Sequence, residues 1–226
     1  LSAQATNAFD TDPVASATMF RHILEIEPNY APAYNMLGYL AGNAGNYEEA
    51  ENLLRKYVFL APDLANPHDS LGDVLSWIGE YEEADKAYRT ALKIDPQFHY
   101  SLINLGRLHL EQGRIAKGEG ILEKVRPFIA DTPQEQRIDR TIIRALYTWG
   151  YDERSLTSIT SYVDRNPDEF STGFYEAMLL AIGGDENAGR RRIHAFMTMA
   201  REEIAPSESE KATRPIQSLA RQYHAL

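Results

Sequence analysis

The sequence predicts an all-α protein built as a solenoid of helix-turn-helix units, and three observations carry that prediction. Pro28, Pro62 and Pro96 recur at a step of 34 residues. Leu37-Gly38, Leu71-Gly72 and Leu105-Gly106 keep the same step, as do Gly45, Gly79 and Gly113. Between these landmarks the apolar residues follow a helical period: His68, Leu71, Gly72 and Leu75 share one face, and Ala84, Tyr88 and Ala91 share another. A fixed period of this length is the signature of stacked supersecondary units, each too small to bury its own apolar face.

The elements follow in chain order. Residues 1–30 read as a partial unit, with a degenerate first helix within residues 1–9 and Ser16, Phe20, Ile23 and Pro28 at second-helix positions. Residues 31–64, 65–98 and 99–132 are three full units, each a helix, a glycine turn and a second helix. Pro96 cannot extend a helix and lacks an N–H, so it ends its unit. In the third unit Ala130 stands where the closing proline is expected, and Gly118 with Gly120 is expected to weaken the second helix. Beyond residue 130 the frame slips by three, and residues 136–169 form a divergent fourth unit through Ile142, Leu146, Gly150, Ser155, Ile159, Tyr162 and Pro167. Residues 170–204 are expected to add a helix pair around Gly183-Gly184, and residues 205–226 a capping helix or tail.

At these residues the chain resembles a tetratricopeptide repeat protein. Tyr34, Leu37-Gly38, Ala41, Ala50, Leu54, Tyr57 and Pro62 match the family pattern in one unit. His68, Leu71-Gly72, Leu75, Ala84, Tyr88, Ala91 and Pro96 match it in the next. The resemblance implies a right-handed superhelical solenoid and a protein- or peptide-binding role.

Composition excludes much chemistry. There is no Cys, hence no disulfide, thiolate metal site or cysteine nucleophile. The net charge of −10 disfavours phosphate backbones and anionic lipids, so neither a nucleic-acid partner nor membrane insertion is expected. No apolar run approaches a membrane span. The six His lack metal-ligand spacing, and no phosphate loop or nucleophile elbow is present, so neither catalytic residues, metal nor cofactor is expected. Glu48-Glu49 and Glu82-Glu83 read as solvated acids at helix starts, favourable to the macrodipole. Arg190-Arg191-Arg192 is the densest basic run and reads as a solvated helix face. The chain starts at Leu1 rather than Met, which points to a fragment or processed product, and the compartment is left open between cytosol and periplasm.

The resemblance further implies that first helices line a concave groove. Carried onto this sequence, the groove positions are Asn35, Tyr39 and Asn43; Asn66, Asp69, Asp73 and Trp77; Tyr100, Ile103, Arg107 and Glu111; and, in the divergent unit, Arg137, Arg140, Arg144 and Tyr147. Asp69, Asp73 and Trp77 share a helix face, as do the three arginines, which predicts a partner of mixed charge. The family's carboxylate-clamp positions hold Asn35, Tyr39, Ser70, Tyr100 and Asn104, none of them basic, so that activity is not expected. Two rival readings remain: an accessory domain of a larger, possibly enzymatic protein, and an assembly protein that self-associates through tyrosine-rich repeat edges.

Overall fold

A computed structural model describes residues 1–130, 132–166 and 172–182, with 184–185, 187–189, 191–192 and 195. Among these residues every regular element is a helix and there is no strand. The closing helix or tail expected over 205–226 lies outside the described residues, as do Pro167, Phe170, Gly183 and Arg190. The chain divides into two compact units, residues 1–138 and 139–226.

In the first unit, α1 (Ser2–Asn7) and α2 (Pro13–Ile26) precede three helix pairs. These are α3 (Ala31–Asn43) with α4 (Tyr47–Leu60), α5 (Ala65–Trp77) with α6 (Tyr81–Ile94), and α7 (His99–Glu111) with α8 (Ile115–Leu122) and α9 (Arg126–Ile129). The Asp12 carboxylate caps α2 by accepting from Ala15 N–H at 2.9 Å, with Pro13 pre-set for the first turn. Ser16 Oγ, fully buried, donates to the Ala5 carbonyl at 2.8 Å and fastens α1 to α2. Phe20 and Ile23 pack with Ala33, Leu37 and Leu40 of α3, so the N-terminal pair continues the stack.

Each hairpin turns in the same way. Gly45, Gly79, Gly113, Gly150 and Gly184 all have positive φ, between 73° and 95°. The amide of the following residue reaches back five residues to a helix carbonyl: Asn46 to Ala41, Glu80 to Leu75, Arg114 to His109, Tyr151 to Leu146 and Asp185 to Leu180. This is the Schellman closure, and it requires the left-handed conformation that glycine adopts without penalty. The proline ends are also clasped. Tyr34 Oη donates to the Pro28 carbonyl at 2.9 Å, and 34 residues later His68 Nε2–H donates to the Pro62 carbonyl at 2.8 Å.

Within a pair, close approach rests on a missing Cβ. A Cβ on Gly38 would lie 2.6 Å from Leu54 Cγ, one on Gly72 2.6 Å from Tyr88 Cε1, and one on Gly106 2.6 Å from Leu122 Cγ. The core of the three pairs runs through Leu54, Tyr57, Leu71, Val74, Leu75, Tyr88, Leu105 and Leu108. His109 is fully buried, with Nε2 3.1 Å from Asp85 Oδ1.

The third pair departs from the other two because its second helix is split. Pro127 stands where α6 has Lys93, and without an N–H it cannot continue the ladder, so α8 ends at Leu122 and a short α9 follows. The turn glycines, 34 residues apart up to Gly113, are 37 apart from Gly113 to Gly150. Helix α10 (Pro133–Thr148) begins three residues before the expected frame at 136, and the boundary between the two compact units falls within it.

The second unit holds the remainder of α10, α11 (Asp152–Arg165) and α12 (Thr172–Ile182). Its core joins Ile143, Ile159, Tyr162, Phe174, Tyr175 and Met178. Arg165 Nη2 pairs with Asp139 Oδ2 at 2.8 Å, and Arg192 pairs with Glu176, so one arginine of the basic run is bound to α12.

Candidate binding face

Helices α3, α5 and α7 lie side by side, and their equivalent positions meet across repeats. Tyr39, Asp73 and Arg107 occupy the same repeat position, 34 residues apart, and form a ladder. Tyr39 Oη donates to Asp73 Oδ2 at 2.8 Å, Tyr88 Oη donates to Asp73 Oδ1 at 2.8 Å, and Arg107 Nη2 lies 3.8 Å from Asp73 Oδ1. Tyr88 comes from α6 and reaches Asp73 because Gly72 leaves room for its ring against α5. One turn earlier, Asp69 Oδ1 accepts from Ser101 Oγ at 2.7 Å and Asn104 Nδ2 at 3.3 Å.

These carboxylates are turned inward. Asp69 is only 4% exposed, and the Asp73 side chain 14%. Burial, then the neighbouring Asp73 charge, pushes the Asp69 carboxyl up to about 7, against its hydrogen bonds and Arg107. Burial also raises Asp73, opposed by Tyr88, Tyr39 and Arg107. Tyr39 and Tyr88 lie well above the usual phenol range, first through burial and then through the Asp73 charge. The sequence expectation of an acidic, aromatic patch therefore separates into two parts. The acids join the repeats to one another, and the aromatic residue reaches solvent.

Trp77 is 37% exposed at the end of α5. Its ring lies over Gly42, where a Cβ would come within 2.3 Å of Cζ3, and meets Tyr39 edge-on with centroids 5.9 Å apart. Tyr100 is 64% exposed, tilted against Phe98 at 5.7 Å. Asn43 and Glu111 are exposed, whereas Asn35, Asn66, Ile103 and Arg107 are half-buried. Asn66 Nδ2 donates to Tyr57 Oη at 3.1 Å, Arg107 Nε lies 3.9 Å from Glu111 Oε1, and Asn35 Oδ1 is buried without a hydrogen-bond partner.

On α10, Arg137 and Arg144 are exposed and Arg140 and Tyr147 half-buried. Arg140 Nη1 donates to Tyr162 Oη at 3.3 Å, and Tyr147 packs on the core of the second unit. The ladder was missed in the sequence although its signal was there: a hydroxyl, a carboxylate and a guanidinium in one repeat column. Among the described residues no group of three or more His, Asp or Glu is placed to hold a metal ion. No helix of the described residues is long and apolar enough to cross a membrane.

Paired helices closed by the same glycine turn, stacked so that first helices adjoin, are the arrangement of tetratricopeptide repeats, and the chain carries repeats of this kind. A tetratricopeptide repeat model matches residues 19–52 and a TPR repeat model residues 78–113. PilW, described as a widely conserved type IV pilus biogenesis factor, is 15% identical with a TM-score of 0.74, covering 87% of this chain and 90% of that one. A tetratricopeptide repeat protein from Parabacteroides merdae is 15% identical with a TM-score of 0.68, covering 96% and 90%. An O-GlcNAc transferase of Thermobaculum terrenum is 28% identical with a TM-score of 0.54, covering 57% of this chain and 26% of that chain. No curated protein sequence matches the chain.

Proposed function

We propose that the chain is a non-catalytic scaffold that binds a protein or peptide partner on the first-helix face of its repeats. The observation that supports this most is Trp77. A large aromatic ring is braced by Gly42 and Tyr39 yet keeps 37% of its surface in solvent. Exposed aromatic surface of this kind is retained where a partner covers it, and a braced ring loses little rotamer entropy on binding. Asn43, Asn66, Tyr100 and Ile103 extend the face. A photo-crosslinking residue placed at Asn43 or Tyr100 should capture a partner in cells, with Glu82 and Lys86 on α6 as controls. Capture from α6 alone would sink this reading. An accessory role in a longer polypeptide is the second reading, favoured by the likeness to about a quarter of the transferase chain.

A further inference from the structure

The charges of the three repeats are sorted by helix. Helices α4, α6 and α8 carry thirteen Asp, Glu, Lys and Arg residues. Helices α3, α5 and α7, over a similar length, carry four: Asp69, Asp73, Arg107 and Glu111. Helix α3 has none. Asp69 is buried under Ser101 and Asn104, Asp73 is held by two phenols and Arg107, and Arg107 lies between Asp73 and Glu111. The charge on this face is thus small in amount and largely compensated within the fold.

We infer that the first-helix face of residues 31–111 takes an extended peptide segment that is aromatic or aliphatic and nearly uncharged, an inference that rests on the scaffold reading above. A charged partner side chain laid over α3 and α5 would lose its hydration and meet either no countercharge or one already paired. That penalty excludes charged segments as effectively as a clash would. An uncharged segment loses nothing in this way, and it gains the faces of Trp77 and Tyr100 and the amide of Asn43 at exposed positions of the face. The attraction is then short-ranged and insensitive to salt. The compensated ladder has a second consequence. Its hydrogen bonds fix the α3–α5–α7 spacing before any partner arrives, so the platform is ready-formed and association needs no charge-driven rearrangement.

The test is selection of a random twelve-residue peptide library on the full chain, followed by binding measurements on synthetic copies of the enriched peptides. The expected peptides carry an aromatic residue and at most one charge. Their affinity should change less than about twofold as sodium chloride rises from about 0.05 to about 0.5 M. It should fall by about tenfold or more in Trp77→Ala. Because Trp77 also packs on Gly42, Tyr100→Ala is measured alongside, a change at a far more exposed ring that should weaken the same peptides with the helical signal unchanged. Enriched peptides that are dense in charge, depend on Tyr100 and lose most of their affinity in salt would overturn the inference and leave the scaffold reading standing. Peptides indifferent to both aromatic substitutions would overturn it as well. A library that yields no enrichment would overturn the scaffold reading and the inference with it.

Discussion

The second and third repeats of the first unit share a register but fill it differently. In residues 65–98, Gly72 of α5 faces Tyr88 of α6, with Ser76 and Ala84 at the neighbouring positions of the two helices. In residues 99–132 the same positions hold Gly106, Leu122, Leu110 and Gly118. A Cβ on Gly118 would lie 2.6 Å from Leu110 Cγ and 2.8 Å from the Gly106 carbonyl oxygen. Leu110 is fully buried, so the third repeat places its bulk on the first helix and removes it from the second. Total volume across the helix pair is what the fold holds fixed, and the repeat pattern records only one way of distributing it.

The largest effect expected from breaking this arrangement is at Gly72. Gly72→Leu puts a branched side chain where Tyr88 already stands, and Tyr88 cannot swing away without losing its bond to Asp73. The cost should be about 3 kcal/mol, measured by denaturant unfolding, even though leucine is the better helix former. An unchanged midpoint would mean that the two helices do not touch there. The same substitution should also disturb the ladder, since Tyr88 is one of the two phenols that hold Asp73.

That ladder supplies the second effect, one of pH. Asp69 sits near 7 in the folded chain, well above the ordinary carboxyl value that applies once the chain unfolds. The folded state therefore binds the extra proton, and the stability linked to it is complete below about pH 4 and lost as pH rises through about 7. Asp69→Asn keeps an oxygen for Ser101 and Asn104 and removes the ionisation. Melting curves taken from pH 4 to 8 should thus show the wild type losing ground to Asp69→Asn as pH rises. Parallel curves would place Asp69 in contact with water. The second repeat alone carries this carboxyl pair, because the third has Ile103 and Arg107 at the equivalent positions.

What could be read from the sequence, and what could not, divides along the same line. The period and the turn glycines follow from residues whose conformation or size is decisive by itself. The split of α8 from α9 was visible in Pro127, but the weakness was ascribed to Gly118 and Gly120 instead. The inward turn of Asp69 and Asp73 was not visible from their spacing. A four-residue interval places both on one face, and only the columns one repeat before and after, Tyr39 and Arg107 with Ser101 and Asn104, show that this face is already partnered. For the same reason a list of groove positions does not show which of its charges are already partnered within the fold.

The third expected effect tests the redistribution of volume directly. Gly118→Ala restores the residue type of the first two full repeats and improves helix propensity, yet it should destabilise by about 1 kcal/mol, because Leu110 and a backbone carbonyl block the methyl group. Combined with Leu110→Ser, the residue type of the second repeat, the penalty at position 118 should shrink to the part set by the Gly106 carbonyl. The double-mutant cycle should then show a coupling between the two positions. Independent, additive effects would mean that the two positions do not share one space.

The smallest effect lies two residues away and should have the opposite sign. Gly120 is exposed, stands on α8, has no positive φ and has nothing within 4 Å of where its Cβ would be. No contact, turn or close approach requires glycine there, so its cost is that of any glycine inside a helix. Gly120→Ala should raise stability by about 0.5–1 kcal/mol through the reduced entropy of the unfolded chain. A matched pair of unfolding curves for Gly118→Ala and Gly120→Ala then separates the two glycines that one sequence rule treats alike. If both substitutions stabilise, Leu110 yields more easily than its burial implies and the split of α8 from α9 is set by Pro127 alone. If both destabilise, the outer face of α8 is covered by something that the first unit itself does not supply.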